Sequence, residues 1–123
     1  MKRTLLLICT LLCANVLFAQ TTFVVGDLTY EITNGNEVAV ADCNESATSV
    51  VIPSTITNEG QTYDVTSIGY GAFAWCNSLT TITIPNSITS IGGQGFYFCI
   101  SLNSITIPNS VTYIGAEAFV NCT

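Results

Sequence analysis

Apolar and polar positions recur at a fixed spacing in the C-terminal part of the chain. The stretch from Val65 to Ser87 and the stretch from Ile88 to Ser110 match at 14 of 23 positions, and a third copy begins at Val111. Such self-similarity is typical of a solenoid, whose units stack to bury one continuous core and need about three copies for stability. The repeats therefore predict a solenoid with 23-residue rungs.

Each unit contains one short stretch in which apolar and polar residues alternate. In SLTTITIP the apolar residues are Leu79, Ile82 and Ile84, and SLNSITIP repeats the pattern one unit later. Alternation of β-branched residues predicts a strand, and the following proline ends it because proline cannot donate to a ladder. The fold is therefore predicted to be mainly β, with isoleucines pointing inward and threonines outward.

A second apolar set follows the strand and places one glycine, one phenylalanine and one cysteine in phase. The phenylalanines are Phe73, Phe96 and Phe119, which stacking would align as a buried aromatic ladder, with an aromatic ligand platform as the alternative. The glycine after each isoleucine is predicted to need an unusual backbone angle. These glycines are Gly69, Gly92 and Gly115. The segments AFAWC, GFYFC and AFVNC are predicted to form a short turn or helical loop.

The region before the repeats predicts a small β meander that caps the first rung. Gly26-Asp27 and Asn34-Gly35 have the composition of two-residue hairpin turns. The predicted strands are Phe23 to Val25, Leu28 to Thr33, and Glu37 to Ala41. SVVIPSTIT is a degenerate copy of TITIPNSIT, and the insertion after it is predicted to turn a hairpin at Asn58 to Gln61.

The segment from Met1 to Ala19 predicts a secretory signal peptide. A basic start precedes the apolar run from Leu5 to Phe18, and Ala19 offers a small residue for cleavage. Lipidation at Cys13 is the alternative, but Leu12 occupies a position where that cleavage needs a small side chain. A spanning helix needs about 20 apolar residues, so no membrane span is expected in the mature chain. The predicted domains are the signal at residues 1–19, the β cap at 20–48 and the repeats at 49–123, the last repeat incomplete.

Basic residues are nearly absent, which excludes several classes of function. Lys2 and Arg3 are the only two in the chain, so their removal takes the formal net charge from −6 to −8. Phosphate backbones are held mainly by Lys and Arg, so nucleic acid is excluded as a partner. The mature chain also lacks His, Lys and Arg for base, nucleophile or oxyanion chemistry. No catalytic residue, enzyme activity or cofactor is expected.

The eight carboxylates show no spacing that indicates a site. Seven precede the first full repeat and Glu117 stands apart. A weak calcium site using Asp27, Asp42 or Glu45 is the alternative, although the spacing matches no calcium-binding loop. Solvated surface charge is the preferred interpretation, and no metal site is predicted.

Four cysteines remain after signal removal: Cys43, Cys76, Cys99 and Cys122. An even count in an exported protein normally indicates disulfides, and stacked rungs about 4.8 Å apart lie within the Cα separation that a disulfide tolerates. Three of the cysteines share one repeat position and cannot all pair among themselves, so small buried apolar residues are the preferred interpretation. A bond between adjacent rungs, or to Cys43, remains open, and no C-x-x-C pair indicates a metal.

The repeat pattern L-x-x-I-x-I-P-x-S-[VI]-T-x-I-G-x-x-[AG]-F-x-x-C resembles the BspA-type leucine-rich repeat of bacterial surface antigens. Leu79 to Cys99 and Leu102 to Cys122 carry it, within a matched region from about Ser49 to Thr123. The resemblance implies a leucine-rich-repeat solenoid on a secreted or surface-displayed bacterial protein, associated with adhesion to host matrix proteins and to other cells. Because the family usually strings many repeats together, the chain is expected to be a truncated product or a fragment of a longer array.

The outward strand positions are the candidate binding face: Thr81, Thr83, Ser104 and Thr106. Such a flat, polar, neutral ladder suits shallow contact with a protein and lacks the concave pocket that a small ligand prefers; a solvated strand face is the alternative. The predicted function is an exported, cell-surface or extracellular protein that binds a protein partner, with adhesion as the expected role. The alternative is a carbohydrate-binding accessory protein, which would use exposed aromatic side chains. The aromatics expected to be exposed are Tyr63, Tyr70, Trp75 and Tyr97.

Overall fold

The computed structural model describes residues 21–122, which form strands and turns arranged as stacked rungs, confirming the predicted mainly β class and consistent with a solenoid. The strands are β1 Thr22–Val25, β2 Leu28–Asn34, β3 Glu37–Cys43, β4 Ser49–Val51, β5 Thr55–Asn58, β6 Gln61–Ile68, β7 Thr81–Thr83, β8 Ser90–Ile91 and β9 Tyr113–Ile114. The larger sheet has the order β1-β2-β3-β6-β8-β9 with β5 paired to β6, and the smaller sheet contains β4 and β7. The predicted signal peptide lies outside the described residues. Within residues 21–122, no helix is long and apolar enough to cross a membrane.

The N-terminal strands form the predicted meander and lie against the first rung, but the second turn lies at Gly35-Asn36, one residue after the predicted Asn34-Gly35. Strands β1, β2 and β3 pair antiparallel in chain order, and β3 then pairs in parallel with β6. The hairpin predicted at Asn58 to Gln61 also forms, between β5 and β6. Gly69 donates its backbone N–H to the carbonyl oxygen of Val40 at 2.8 Å. The meander therefore occupies the place of a preceding rung at the edge of the larger sheet.

Successive rungs stack in register through short parallel strands. Ile68, Ile91 and Ile114 pair across β6, β8 and β9, at the predicted spacing. Gly92 and Gly115 donate backbone hydrogen bonds of 2.7 and 2.8 Å to the carbonyl oxygens of the isoleucines one rung earlier. Main-chain bonds, and not apolar packing alone, thus tie each rung to its neighbour.

The prediction of an unusual backbone angle at the repeated glycines is wrong. None of Gly69, Gly92 and Gly115 has a positive φ. The glycines are required by close approach, because a Cβ at Gly92 would lie 2.7 Å from the backbone nitrogen of Tyr70, and one at Gly115 would overlap the backbone of Gly93. Any larger residue would push neighbouring rungs apart at this point.

Residues with the left-handed backbone conformation, at positive φ, lie instead in the segments that follow these glycines. These segments, AFAWC and its repeats, form turns. Two positions of each rung adopt this conformation: Gly71, Gln94 and Glu117 at one, and Trp75, Phe98 and Asn121 at the other. A non-glycine residue in this conformation costs roughly 1–2 kcal/mol. The turns are held by bonds between rungs, since the backbone N–H groups of Phe73 and Phe96 donate to carbonyl oxygens of the next rung at 2.8 Å.

The core contains the predicted aromatic ladder. The rings of Phe73 and Phe96 lie 5.0 Å apart and are parallel to within 2°, and those of Phe96 and Phe119 lie 5.3 Å apart and are parallel to within 4°. Phe73 and Phe96 are 0% exposed and Phe119 is half-buried, so the Phe73 and Phe96 rings fill the core and offer no platform to a ligand. Leu79 and Leu102 are buried in the same core.

The smaller sheet shows the predicted alternation on β7. Thr81 and Thr83 are exposed, Ile82 is half-buried and Ile84 is buried. The matching stretch of the next rung, residues 103–107, lies outside the regular strands, which differs from the strand predicted in SLNSITIP. Its isoleucines still pack against the core, so apolar contact keeps the rung in place without a ladder here.

Replacing Gly92 by alanine is expected to lower the free energy of unfolding by about 1–3 kcal/mol, because the added methyl group collides with the backbone of the previous rung. The matched control is Gly35→Ala, where an added Cβ meets nothing within 4 Å. Urea unfolding followed by circular dichroism measures both variants. Equal midpoints for Gly92→Ala and the parent protein would contradict the close-approach explanation.

Candidate functional site

All four residues of the predicted binding face are exposed. Thr81 and Thr83 lie on β7, and Ser104 and Thr106 follow in the next rung. The Thr81 hydroxyl donates to the Ser49 hydroxyl oxygen at 3.0 Å. The outer surface is thus a row of hydroxyl groups that crosses the rungs, with a direct bond between β4 and β7.

Two residues of β4 extend this surface. Ser49 pairs with Thr81 and Val51 pairs with Thr83 in the parallel register of β4 and β7, and Val51 is 69% exposed. The alignment of SVVIP with TITIP could have predicted this extension, since it places Ser49 and Val51 at the outward positions. We define the strand face as Ser49, Val51, Thr81, Thr83, Ser104 and Thr106; it is polar and neutral with one apolar side chain.

The surface near the strand face offers little room for a small molecule. A cleft of about 270 Å³ lies between the β1–β2 turn and β4, lined by residues that include Asp27, Val51 and Ile56. Ligand pockets usually measure about 300–1,000 Å³ and are more enclosed.

The carboxylates do not gather into a metal centre in the part of the chain that the structure describes. There, no group of three or more His, Cys, Asp or Glu side chains is placed to hold an ion. Of the calcium candidates, Asp27 accepts a hydrogen bond from the Asn44 amide at 3.1 Å, and Asp42 accepts one from the backbone N–H of Cys43 at 2.9 Å. These carboxylates act as hydrogen-bond acceptors that shape the end of the meander.

Exposed aromatic side chains form a second surface, on the turns of the repeat. We define the aromatic patch as Trp75, Tyr97 and Phe98. The Trp75 ring stacks on Phe98 with centroids 4.4 Å apart and an interplanar angle of 20°, and Tyr97 meets its edge at 5.9 Å. Trp75 is 52% exposed, while Tyr97 and Phe98 are half-buried. Tyr70 is 72% exposed, as expected.

The expectation that Tyr63 is exposed is wrong. It is only 8% exposed, because β6 directs it towards Phe23, whose ring centroid lies 5.6 Å from its own. Phe98 was missed by the sequence interpretation. Its position, one repeat after Trp75, could have predicted its place in the patch. Residues at the same repeat position share a backbone conformation, so their side chains project next to each other.

The repeat cysteines act as hydrogen-bond donors as well as small buried residues. The Cys99 thiol donates to the carbonyl oxygen of Phe73 at 2.9 Å, and the Cys122 thiol donates to that of Phe96 at 3.0 Å. Cys43, Cys76 and Cys99 are buried and Cys122 is half-buried, all as free thiols. Burial was predicted from the repeat, but the bond to the preceding rung was not.

The environments of the thiols shift their pKa values in different directions. Burial raises the pKa of the Cys99 thiol to about 12 and also raises that of Cys122. Cys43 and Cys76 are in hydrogen-bond contact, which raises the pKa of Cys43 and lowers that of Cys76.

The raised pKa of Cys99 predicts loss of stability at alkaline pH. An unfolded thiol has a pKa of about 8.5 and the folded Cys99 thiol one of about 12, so the unfolded state binds fewer protons between these values. The contribution of Cys99 to the free energy of unfolding is fully present below about pH 8.5. Above that pH it falls by up to about 1.4 kcal/mol per pH unit.

Urea unfolding of the reduced protein between pH 8 and 10 is expected to show a shallower pH slope for Cys99→Ala than for the parent. Leu102→Ala is the control, because it also truncates the core without removing a titratable group. A parent-like slope in Cys99→Ala would show that Cys99 does not carry the effect.

Comparison with known proteins identifies the repeat. A sequence model of the BspA type leucine-rich repeat region with six copies matches residues 43–123. The chain is similar to a leucine-rich repeat protein from Bacteroides ovatus ATCC 8483, with 33% identity over 81% of this chain and 33% of that chain and a TM-score of 0.72. It is also similar to a leucine-rich cell surface protein from Faecalibacterium prausnitzii A2-165, with 28% identity over 83% of this chain and 28% of that chain and a TM-score of 0.71.

A leucine-rich repeat protein from Bacteroides capillosus ATCC 29799 shares 30% identity over 77% of this chain and 88% of that chain, with a TM-score of 0.59. The chain spans only about a third of the length of the Bacteroides ovatus and Faecalibacterium prausnitzii structures. No curated protein matches it. Because the family repeat covers more than half of the sequence and the solved structures share its fold, the chain belongs to the BspA-type leucine-rich-repeat family.

Proposed function

We propose that this protein is an exported, cell-surface or extracellular binding module that contacts another protein through the strand face, with adhesion as its role. The observation that carries the proposal is the row of exposed hydroxyl groups that crosses the rungs. In this row Thr81 is hydrogen-bonded to Ser49, and the neighbouring Val51 side chain is exposed to solvent. The row is uncharged and regularly spaced, and its members Ser49, Thr81 and Thr83 lie on the hydrogen-bonded strands β4 and β7. Rigid presentation limits the entropy lost on binding.

Family membership and composition support the same proposal. Leucine-rich repeats are binding scaffolds, and the similar Faecalibacterium prausnitzii protein is described as a cell surface protein. The sequence after Arg3 contains no Lys, Arg or His, so its chemistry favours recognition over catalysis. The predicted signal peptide at residues 1–19 supports export, with residues 20–48 proposed as the cap and 49–123 as the binding repeats.

Charge placed on the strand face is expected to weaken binding. Thr83→Arg and Thr106→Arg introduce large cationic side chains at exposed positions and leave the core unchanged. Binding of the full chain to immobilised extracellular-matrix proteins and to intact bacterial cells measures the effect. We expect the affinity for any bound partner to fall about tenfold or more, as for a central interface residue.

The matched control is Thr55→Arg, an exposed strand threonine on β5 that lies outside the strand face. It makes the same change of charge and size, so it separates loss of contact from a general effect of charge. Equal weakening by Thr55→Arg and Thr83→Arg would reject the strand face as the binding surface.

The aromatic patch supports carbohydrate binding as a second candidate function. Trp75 is half-exposed and stacked on Phe98, and both occupy strained left-handed positions that hold the rings at the surface. A flat exposed aromatic face provides apolar surface against which a sugar ring packs. Of the four aromatics expected to be exposed, Trp75 and Tyr97 belong to this patch, while Tyr63 is buried in the meander.

Trp75→Ala is expected to abolish retardation of the protein in gels containing soluble polysaccharide while leaving the strand-face contacts unchanged. Tyr70→Ala is the control, since Tyr70 is more exposed than Trp75 but lies outside the aromatic patch. Retardation that persists in Trp75→Ala, or that Tyr70→Ala removes equally, would rule out the patch as the carbohydrate surface.

A further inference from the structure

Strand β4 is open along the edge that faces away from β7. In the parallel register of the two strands, the Ile52 N–H donates to the carbonyl oxygen of Thr83 at 3.0 Å. Backbone groups of successive strand residues point to alternate sides within the sheet, so those of Ser49 and Val51 point away from β7. Within residues 21–122, the N–H and C=O groups of Ser49 and Val51 have no backbone hydrogen-bond partner.

The cleft of about 270 Å³ borders β4, and none of its lining residues belongs to β7. Its lining includes Ser49, Val51 and Ile56 from β4 and β5, and Val25 and Asp27 from β1 and the turn after it. Val25 is 39% exposed and Val51 is 69% exposed. Unpaired backbone groups and exposed apolar side chains therefore occur together at this edge.

We propose that the open edge of β4 is a binding site for an extended, basic segment of the partner protein, which adds to β4 as a further strand. A branched aliphatic side chain of the segment packs in the cleft, and a neighbouring lysine or arginine pairs with Asp27. The proposal deepens the proposed function and rests on it for the partner being a protein, whereas the site rests on the geometry of β4.

The backbone of β4 is suited to strand addition. In this mode of recognition, main-chain hydrogen bonds supply affinity and pockets for alternate side chains supply specificity. Ser49 and Val51 together offer two N–H donors and two C=O acceptors on one side of the strand. Edge strands often carry a charged side chain or a proline that prevents further pairing. Strand β4 has the sequence Ser-Val-Val, so it contains neither.

Charge complementarity selects a basic segment. Of the residues that line the cleft, only Asp27 is charged. Its exposed carboxylate accepts a hydrogen bond from the Asn44 amide at 3.1 Å, and a carboxylate has about four acceptor positions, so it can also accept from a cation. The sequence after Arg3 has eight carboxylates and no Lys, Arg or His. An acidic segment would therefore be repelled and would find no cation with which to pair.

An NMR titration of the ¹⁵N-labelled full chain tests the site. The probe is the acetylated and amidated heptapeptide Thr-Lys-Val-Thr-Val-Lys-Thr. We expect shifted amide signals at Ser49, Val51 and Asp27, and slower hydrogen exchange at Ser49 and Val51, whose N–H groups become donors to the added strand. A matched peptide with glutamate in place of both lysines is expected to bind about tenfold more weakly. Unchanged signals at β4, or equal binding of the two peptides, would overturn the proposal.

Backbone methylation of the peptide separates an added strand from other contacts. One peptide carries N-methyl groups on its two lysines, and a second carries them on its two valines. These N–H groups point to opposite edges of an extended chain, and only one edge faces β4. We therefore expect one methylated peptide to lose binding and the other to keep it. Equal binding of both, or loss of both, would contradict strand addition.

Val51→Pro and Val51→Thr form a matched pair of variants. Both remove the valine side chain, but only proline removes the N–H group, which points away from β7. Val51→Pro is expected to bind the lysine peptide about two- to tenfold more weakly than Val51→Thr, as for the loss of one hydrogen bond. Equal affinities in two folded variants, checked by circular dichroism, would argue against backbone pairing. If Val51→Pro does not fold, the methylated peptides test the same bond.

Asp27→Asn keeps the shape of the side chain and removes its charge. The lysine peptide is expected to bind this variant about two- to fivefold more weakly than the parent, as for an exposed ion pair. Its affinity for the parent is also expected to fall as salt is added, and less so for the variant. An unchanged affinity in Asp27→Asn would reject Asp27 as the partner of the basic side chain.

Binding of matrix proteins to the same variants separates this proposal from the proposed function. Binding that Thr83→Arg weakens, but that Val51→Pro and Asp27→Asn leave unchanged, supports the strand face and overturns the added strand. If the lysine peptide binds at β4 but no matrix protein or cell binds the full chain, the result supports the edge site and argues against adhesion.

Discussion

The close approach of backbones between neighbouring rungs is the constraint on which the rest of the structure depends. Gly92 donates to the carbonyl oxygen of Ile68 at 2.7 Å, and a Cβ at this glycine would collide with the previous rung. The same spacing sets the distance between the Phe73 and Phe96 rings and brings the Cys99 thiol to the Phe73 carbonyl oxygen. The left-handed turns follow from it too, because bonds to the next rung offset their cost of roughly 1–2 kcal/mol per residue. Stability in this fold is therefore a property of neighbouring rungs and not of any single one.

A fold that rests on backbone bonds and apolar contact can dispense with ion pairs. The chain has no basic residue after Arg3, so its carboxylates can pair only with hydrogen-bond donors, as Asp27 does with Asn44 and Glu117 with Gln94. The net negative charge keeps the surface soluble without specifying a contact. In the proposed binding function, recognition falls to uncharged groups, which are the hydroxyls of the strand face and the rings of the aromatic patch.

Much of the fold could be predicted from the sequence because each structural pattern occurs in more than one repeat. The recurring unit located the phenylalanine ladder and the inward isoleucines, and turn composition located the meander hairpins. The role of the glycines did not follow, since glycine is chosen both for positive φ and for close approach, and a sequence does not separate these causes. The burial of Tyr63 also did not follow, because it depends on how a non-repeated segment packs against the repeats.

The candidate sites lie where the repeat changes. The position of Trp75 holds Phe98 in the next rung and Asn121 in the last, so the aromatic patch exists only across the first two. Val51 occupies the position that Thr83 has on β7. The strand face therefore contains one apolar side chain, next to the meander. Repetition builds a rigid and nearly uniform scaffold, and a partner can recognise one place on such a scaffold only through residues that break the uniformity.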